Sequence, residues 1–391
     1  MTLKLQELKG KSLNLYSSLP YQRIKDSPTI KYYTNWKLFN RFSFPNEDIT
    51  SGKTPSVIIP KDVNLLLAGS NVIINPHKNL EFQARKITSF PTDTIIDTRM
   101  QAIHYASLIN AYEIKIKDDS YSEDPIRITI ESVLNANVHE GYHLRIIIGN
   151  SVNLNLELLE LGLSKKSAMN SVVELLIGEN SKVSLIHINK PNQETPSFSD
   201  IKAFISKDSS LNVRALYFGG LMHRQQFTSI LQGENSTLNN STTILGNNSH
   251  KIDFIFDSLA NNENNVIDFY GVGVAQDQSY VSIRAVGRIT NRSKKAKVDI
   301  KSLTYNIGEE SRAIASPILE INNNEVDLAR HSVGITNISK ELLFYLMSRG
   351  LSLEEIKELF QEELITSILR NVNDQVRRDL TEIINYTYGL S

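Results

Sequence analysis

Between about residues 101 and 325 the chain repeats one short unit, a small or polar turn containing serine followed by a strand of alternating apolar and polar residues. The turns are Gly149-Asn150-Ser151-Val152, Gly178 to Val183, Asp208-Ser209-Ser210-Leu211, Gly233 to Leu238, Asn247-Asn248-Ser249, Asp277 to Val281 and Gly308 to Ser311. Their serines stand at 151, 181, 210, 236, 249, 279 and 311. Apart from the short step from 236 to 249, the gaps run from about 26 to about 32 residues. The runs between them, such as Ile126-Arg127-Ile128-Thr129-Ile130 and Val152-Asn153-Leu154-Asn155-Leu156, alternate with period two, the signature of a half-buried strand. Glycine and asparagine supply positive φ at such turns, and serine bonds the local backbone. A repeat of roughly 20–50 residues built from short strands points to a solenoid, and without helices between the strands the solenoid is a β-helix. The alternative is a β-sandwich with irregular hairpins. The scarcity of Asn-Gly and Asp-Gly pairs weighs against it.

At 391 residues the chain exceeds the roughly 250–300 that one core usually serves, so two or three units are expected. A solenoid relaxes that limit, because each coil touches only its neighbours. Basic and acidic residues balance at 42 against 43, a net charge of −1, which argues against nucleic acid or an anionic membrane as partner. Met1 to Lys9 lacks the apolar core of a secretory signal. No apolar run approaches the ~20 residues of a membrane span. The best candidate, Val63 to Ile74, is broken by Gly69, Ser70 and Asn71. There is no cysteine, which rules out disulfides and leaves the compartment open; without a secretory signal the default expectation is the cytoplasm.

The repeat is flanked by two different stretches. Residues 1–100 read as a mixed or helical N-terminal domain. Leu3 to Leu15 is a candidate helix carrying Gly10, and the only tryptophan, Trp36, ends an aromatic run from Pro28 and is expected to anchor a small core. Residues 101–325 form the β-helix core. Residues 326–391 switch to period 3.6 and read as a C-terminal helical domain. Ser339 is a suitable N-cap and Gly350 a suitable C′ residue for one short helix. Ser352-Leu353-Glu354-Glu355 is a capping box for the next, which presents Ile356, Leu359, Phe360, Leu364 and Ile368. Val372, Val376, Leu380 and Ile383 mark a third helical run.

Chemistry-bearing motifs are few. His139-Glu140-Gly141-Tyr142-His143 matches the zinc-protease string H-E-x-x-H, whose chemistry requires a helix. Gly141 inside it and the run Leu144 to Ile148 after it predict a turn and strand start with exposed histidines instead. The other histidines, His77, His104, His187, His223, His250 and His331, show no metal-ligand spacing on a predicted helix. No phosphate-binding G-x-x-x-x-G-K-[ST] loop and no G-x-S-x-G elbow occurs. Leu343-Phe344-Tyr345-Leu346-Met347 is a dense apolar and aromatic patch on a short helix. About half of it serves a core, and the remainder, Tyr345 and Met347 in particular, is available to a partner.

The stretch Pro317-Ile318-Leu319-Glu320-Ile321, Val326, His331 and Phe344 to Leu351 resembles the C-terminal pattern of the SufB/SufD family of iron–sulfur cluster assembly proteins: P-x-L-E-I, a valine, a histidine, then F-Y-L-x-S-R-G. Tyr33-Thr34-Asn35-Trp36 is similar to the family's N-terminal run of aromatic, threonine and tryptophan. The resemblance implies a right-handed parallel β-helix flanked by N- and C-terminal helical domains, in a mainly β chain. One departure is informative. The SufB branch looks to carry a cluster-related cysteine and a glutamate after the histidine, whereas this chain has no cysteine and reads Arg330-His331-Ser332-Val333-Gly334. It is therefore identified as SufD-like.

What the resemblance implies is a scaffold subunit, not an enzyme, that pairs with a SufB-type subunit or a second copy of itself and docks a SufC-type ABC ATPase. The docking residues would be Leu343, Phe344, Tyr345, Met347, Arg349 and Gly350. His331 is the candidate ligand for iron or a nascent cluster at the partner interface, because a chain without thiolates offers mainly nitrogen and oxygen ligands. An Arg330 side chain close by would favour its neutral, ligating form. No tightly bound cofactor is expected, only iron or a cluster held transiently with a partner. Two other readings stand beside this one, a β-helix polysaccharide lyase or glycosidase and a stand-alone structural solenoid.

Overall fold

The computed structural model describes residues 2–22, 33–46, 63–337 and 340–369, together with Arg378. The beginning of the aromatic run at 28–32, the expected cap Ser339 and the third helical run with Val372, Val376, Leu380 and Ile383 lie outside the described residues.

In chain order the first elements are β1 (Thr2–Lys4), α1 (Leu5–Tyr16), a 3-10 turn (Trp36–Arg41), β2 (Leu65–Ala68), β3 (Asn71–Ile74), β4 (Phe82–Lys86), β5 (Ser89–Pro91) and α2 (Arg99–Ala106). The repeat follows as β6 (Leu108–Ile116), β7 (Ile126–Ser132), β8 (His139–Ile148), β9 (Asn153–Gly162), β10 (Ala168–Ile177), β11 (Lys182–Lys190), β12 (Pro196–Ile205) and β13 (Ser210–Phe218). It continues as β14 (Met222–Leu231), β15 (Thr237–Gly246), β16 (Lys251–Ala260), β17 (Val266–Gln276), β18 (Tyr280–Ile289), β19 (Lys297–Ile307), β20 (Arg312–Ile321) and β21 (Leu328–Asn337). Helices α3 (Lys340–Ser348) and α4 (Leu353–Leu369) come last.

Even-numbered strands from β4 to β20 form one sheet, and odd-numbered strands from β7 to β21, with β2 and β3, form the other. From β6 onward every strand pairs in parallel with the strand two along, so the chain crosses between sheets at each step. The sixteen strands β6 to β21, two per coil, make eight coils of a parallel β-solenoid, and the hairpin sandwich is excluded. Strand pairing runs past both ends of the repeat as read from sequence: β2 and β4 join the sheets before residue 101, and β21 lies beyond 325.

The period-two pattern works as expected. Leu154, Leu156, Val183, Leu185, Leu211 and Val213 face inward with Ile146, Leu175, Ile201 and Phe227 of the opposite sheet, all buried. Each such side chain contributes about 1.5–3 kcal/mol on burial, so each coil is held mainly by its own apolar rung.

The turns differ from expectation in one respect. Positive φ is carried by Ser151, Asn180, Asp208, Asn235, Asn264 and Lys295, one above another, not by the glycines beside them. Asn264 donates to Asn235 at 2.9 Å and Asn235 to Asp208 at 2.7 Å, so the left-handed residues form their own side-chain ladder. The glycines serve close approach: a Cβ on Gly178 would stand 2.5 Å from the carbonyl oxygen of Gly149. The short serine step is explained too. Ser151, Ser181, Ser210 and Ser236 lie where even strands pass to odd ones, whereas Ser249, Ser279 and Ser311 lie at the opposite edge, half a coil on.

The N-terminal residues pack along the even-numbered sheet, from the first coil to the seventh. Helix α1 starts at Leu5 because Thr2–Lys4 pairs with β5, and Leu8 is buried among Ile87, Phe90, Tyr105 and Leu108. Gly10 meets no neighbouring atom and is tolerated. Trp36 packs with Phe39, Ile103, Phe198 and Met222, the core anchor expected of it. The residues before it act as a staple. Thr34 donates to Asp253 at 2.6 Å, and Tyr33 lies 5.3 Å from the guanidinium of Arg284, which also binds Asp253. Arg224 completes the buried group. Burial alone would raise the Asp253 carboxyl, but the two guanidinium groups and Thr34 hold it below the usual range. Among the described residues no helix is long and apolar enough to cross a membrane.

Candidate functional site

Two surfaces stand out, and both lie at the C-terminal end. The first is the open end of the solenoid. β20 and β21 are terminal in their sheets, so among the described residues their outer backbone edges have no strand partner. The last coil also continues the inward-facing rows, and among the described residues no strand is stacked above it. Val333 stands over Ser302, Ile335 over Thr304, and His331 over the buried Ile300. Ile321, Leu328, Val333 and Ile335 are exposed, Ile335 to 57%. Ile321, Val333 and Ile335 continue rows that are buried in the coil below, and here they are surface.

His331 lies within β21 and is exposed, so it belongs to the last solenoid strand and not to the helical region. Neighbouring side chains of a strand point to opposite faces, and Arg330 turns outward to Asp299 at 2.6 Å, where Lys301 also binds at 2.7 Å. The Arg330 and His331 side chains therefore lie on opposite faces of β21. Among the described residues no three His, Cys, Asp or Glu side chains gather into a metal site. His331 can thus offer one imidazole from the face of the last strand.

The second surface is α3. Gly350 takes φ of 95° and ends the helix as its C′ residue, with Leu351 N–H bonding Leu346 O at 3.4 Å. The capping box of α4 is reciprocal: Glu355 N–H donates to Ser352 Oγ at 3.2 Å, and Ser352 N–H to Glu355 Oε2 at 2.7 Å. Ahead of these fixed points Leu342, Phe344, Tyr345 and Met347 are exposed, Phe344 to 75%. Leu343 is half-buried, and the guanidinium of Arg349 lies 5.2 Å from the Tyr345 ring. The structure thus brings the six candidate docking residues onto one short helix and its cap.

The H-E-x-x-H string is settled by its backbone. It opens β8, where His139 and His143 share a face but stand four residues, about 13 Å, apart, too far to hold one ion. The strand start is as expected, but the expected exposure of the histidines is not found: both rings are buried. Phe42 and Phe44 cover His139, and His104 bonds His143 at 3.1 Å. Burial pushes His139 down to about 4. Glu140 points the other way and accepts from Val133 N–H, Leu134 N–H and Ser167 Oγ. These are structural groups.

The outer face of the odd-numbered sheet carries a polar groove of about 620 Å³ floored by Asn155, Ser184, Asn212, Asn239 and Asp268 in register. It bears on the polysaccharide-cleaving alternative, which needs two working carboxyl groups about 5–10 Å apart. Glu157 is bound by Arg127 at 2.9 Å, and Asp268 stands four strand spacings away, about 19 Å. That pair does not meet the requirement.

One buried acid makes a prediction. Glu131 is fully buried, and neither carboxyl oxygen has a hydrogen-bond partner among the described residues. Burial raises it from 4.5 to about 8. A raised folded value means that its contribution is intact below about 4.5 and is lost as pH climbs towards 8. At pH 7 the cost is about 3 kcal/mol. Glu131→Gln should raise the thermal midpoint at pH 8 by several degrees and flatten its fall between pH 5 and 8. Parallel pH profiles for parent and variant would contradict this.

The family profile described as "SUF system FeS cluster assembly, SufBD core domain" matches residues 133–363, more than half of the chain. Curated relatives carry matching names. An iron–sulfur cluster assembly SufBD family protein of Pyrococcus horikoshii is 24% identical over 271 residues, 69% of this chain and 56% of that protein. The iron–sulfur cluster assembly protein SufD of Bacillus subtilis is 22% identical over 226 residues, 56% of this chain and 51% of that protein. The SufD protein of Plasmodium berghei is 23% identical over 242 residues, 61% of this chain but 17% of that protein. The chain thus spans about half the length of these relatives, or less.

Proposed function

The chain belongs to the SufB/SufD family of iron–sulfur cluster assembly proteins, on its SufD-like side, and from that premise we propose that it is a non-catalytic scaffold subunit whose open solenoid end pairs with a SufB-type subunit and whose helix α3 docks an ABC ATPase. The observation that carries this reading is the last coil, whose two strands have no outer strand partner among the described residues and which exposes His331, Val333 and Ile335 in one row. A second solenoid of the same kind, approaching end to end, supplies both the missing strand pairing and the apolar cover. Such a partner would bring cysteine thiolates to the interface. This chain would bring His331, and iron or a forming cluster, as cargo of the assembly, would be held across the seam. A scaffold of this kind needs no acid–base pair of its own. A reducing cytoplasm, where a partner's thiols stay free, suits the assembly.

The test is His331→Ala in the chain co-expressed with the SufB-type subunit and the ATPase. Because His331 is exposed, the variant should assemble as the parent does. The complex should then carry markedly less iron and sulfide per mole. Equal iron and sulfide in the two complexes would remove the ligand role.

A further inference from the structure

The C-terminal helices fold back along the solenoid. Helix α4 follows β21 but packs against β15 and β13, three and four strands away, which is about 14–19 Å from the open end. Among its described side chains only Ile356 and Lys357 are buried. The Nζ of Lys357 binds Asp277 Oδ1 at 2.6 Å, and Gln276 Nε2 donates to the Lys357 carbonyl at 3.4 Å. Ile356, the Lys357 ion pair and the Gln276 hydrogen bond are contacts at the edge of the solenoid, of the kind that open locally without global unfolding.

Asp277 is placed to pass that attachment on. It holds a left-handed turn between β17 and β18, at φ of 55°. Its other oxygen accepts from Asn248 N–H at 2.9 Å, in the left-handed turn one coil below. One coil above lies Gly308, whose Cβ position is 3.6 Å from Asp277 N. The column Asn248, Asp277, Gly308 leads directly into β20, whose Arg312 N–H bonds Ser279 O at 3.0 Å. β20 is one of the two free edges at the open end.

We propose that the Lys357–Asp277 pair is the coupling contact through which movement of the α3–α4 hairpin reaches the free strand β20. This rests on reading α3 as the docking helix, and it adds the route by which a motor on that helix acts on the seam. It is a two-state contact: latched, it ties α4 to the turn column; released, it leaves column and edge strand to relax.

The test uses hydrogen exchange on the full chain, with the parent, Asp277→Asn, Lys357→Met and the double variant. Asparagine keeps the left-handed turn and the bond to Asn248, and methionine keeps the packed stem. Each single variant should speed exchange about five-fold both in 353–359 and in 312–321, and the double variant should add nothing further. Faster exchange confined to α4, or additive effects, would overturn the proposal. A second arm adds the co-expressed ATPase with and without ATP. The nucleotide-dependent change in β20 and β21 exchange seen in the parent should vanish in the single variants, which still co-purify with the ATPase. Its persistence would also overturn the proposal. If the parent fails to bind the ATPase, the docking reading falls, while the first arm still decides the contact in the isolated chain.

Discussion

Replacing Tyr345 and Met347 together by aspartate should abolish co-purification of the ABC ATPase and leave the chain folded. The two side chains lie with Leu342 and Phe344 on a nine-residue helix and are exposed. Soluble proteins seldom display so many large apolar groups on so short an element without using them. Aromatic and methionine side chains of this kind carry a disproportionate share of binding energy, about 2 kcal/mol or more each. Putting unpaired carboxylates in their place adds desolvation cost in the complex. Affinity should fall at least about a thousand-fold. Neither residue belongs to a buried cluster, so the melting temperature of the isolated chain should barely move. Retention of the ATPase by a folded double variant would show that α3 is not the docking helix.

The second large effect is expected at the open end. Val333→Asp with Ile335→Asp should prevent association with a SufB-type subunit, weakening it at least about a hundred-fold. Both residues continue core rows onto the last coil and both are exposed, so the isolated chain has little to lose. In a paired seam the same side chains would be enclosed between two solenoids, where an unpaired carboxylate is costly. Light scattering on the mixed proteins reads the result. A heterodimer that survives the double substitution would place the seam elsewhere.

Much of the solenoid was legible, because its determinants are local. Each turn needs a residue tolerant of left-handed φ and each strand alternates, so Asn180, Asp208 and Asn235 announce themselves without any knowledge of what they stack on. The phase jump between Ser236 and Ser249 was visible but not interpretable, since only the fold shows that the two serines lie on opposite edges. The long-range covers were not legible. Phe42 and Phe44 bury His139 from almost a hundred residues away, and Thr34 reaches Asp253 across the whole middle of the chain. Nothing in the local period of β8 marks its outward face as covered.

The candidate site was half legible. Phe344, Tyr345 and Met347 stood out as a patch too apolar for its helix, and the capping signals around Gly350 and Ser352 fixed where that helix ends. His331 was found through the family pattern and placed at the junction of the last strand and the helical region, because the Ser-containing turns that mark the coils end at Ser311 and β21 follows a turn without one. Its inward row reads Ala329, His331, Val333, Ile335, and only pairing with β19 shows that the row continues Val298 and Ile300. The Lys357–Asp277 contact had no sequence signal, since it joins residues eighty apart that carry no motif.

The most direct measurement is the native mass and metal content of what this chain brings with it. The chain, tagged, is co-expressed with a cysteine-bearing SufB-type subunit and an ABC ATPase and purified under reducing, oxygen-free conditions. The account predicts a single assembly whose mass requires both partners and which carries iron and sulfide. A tagged chain that emerges alone, or only with copies of itself, and without iron would contradict it.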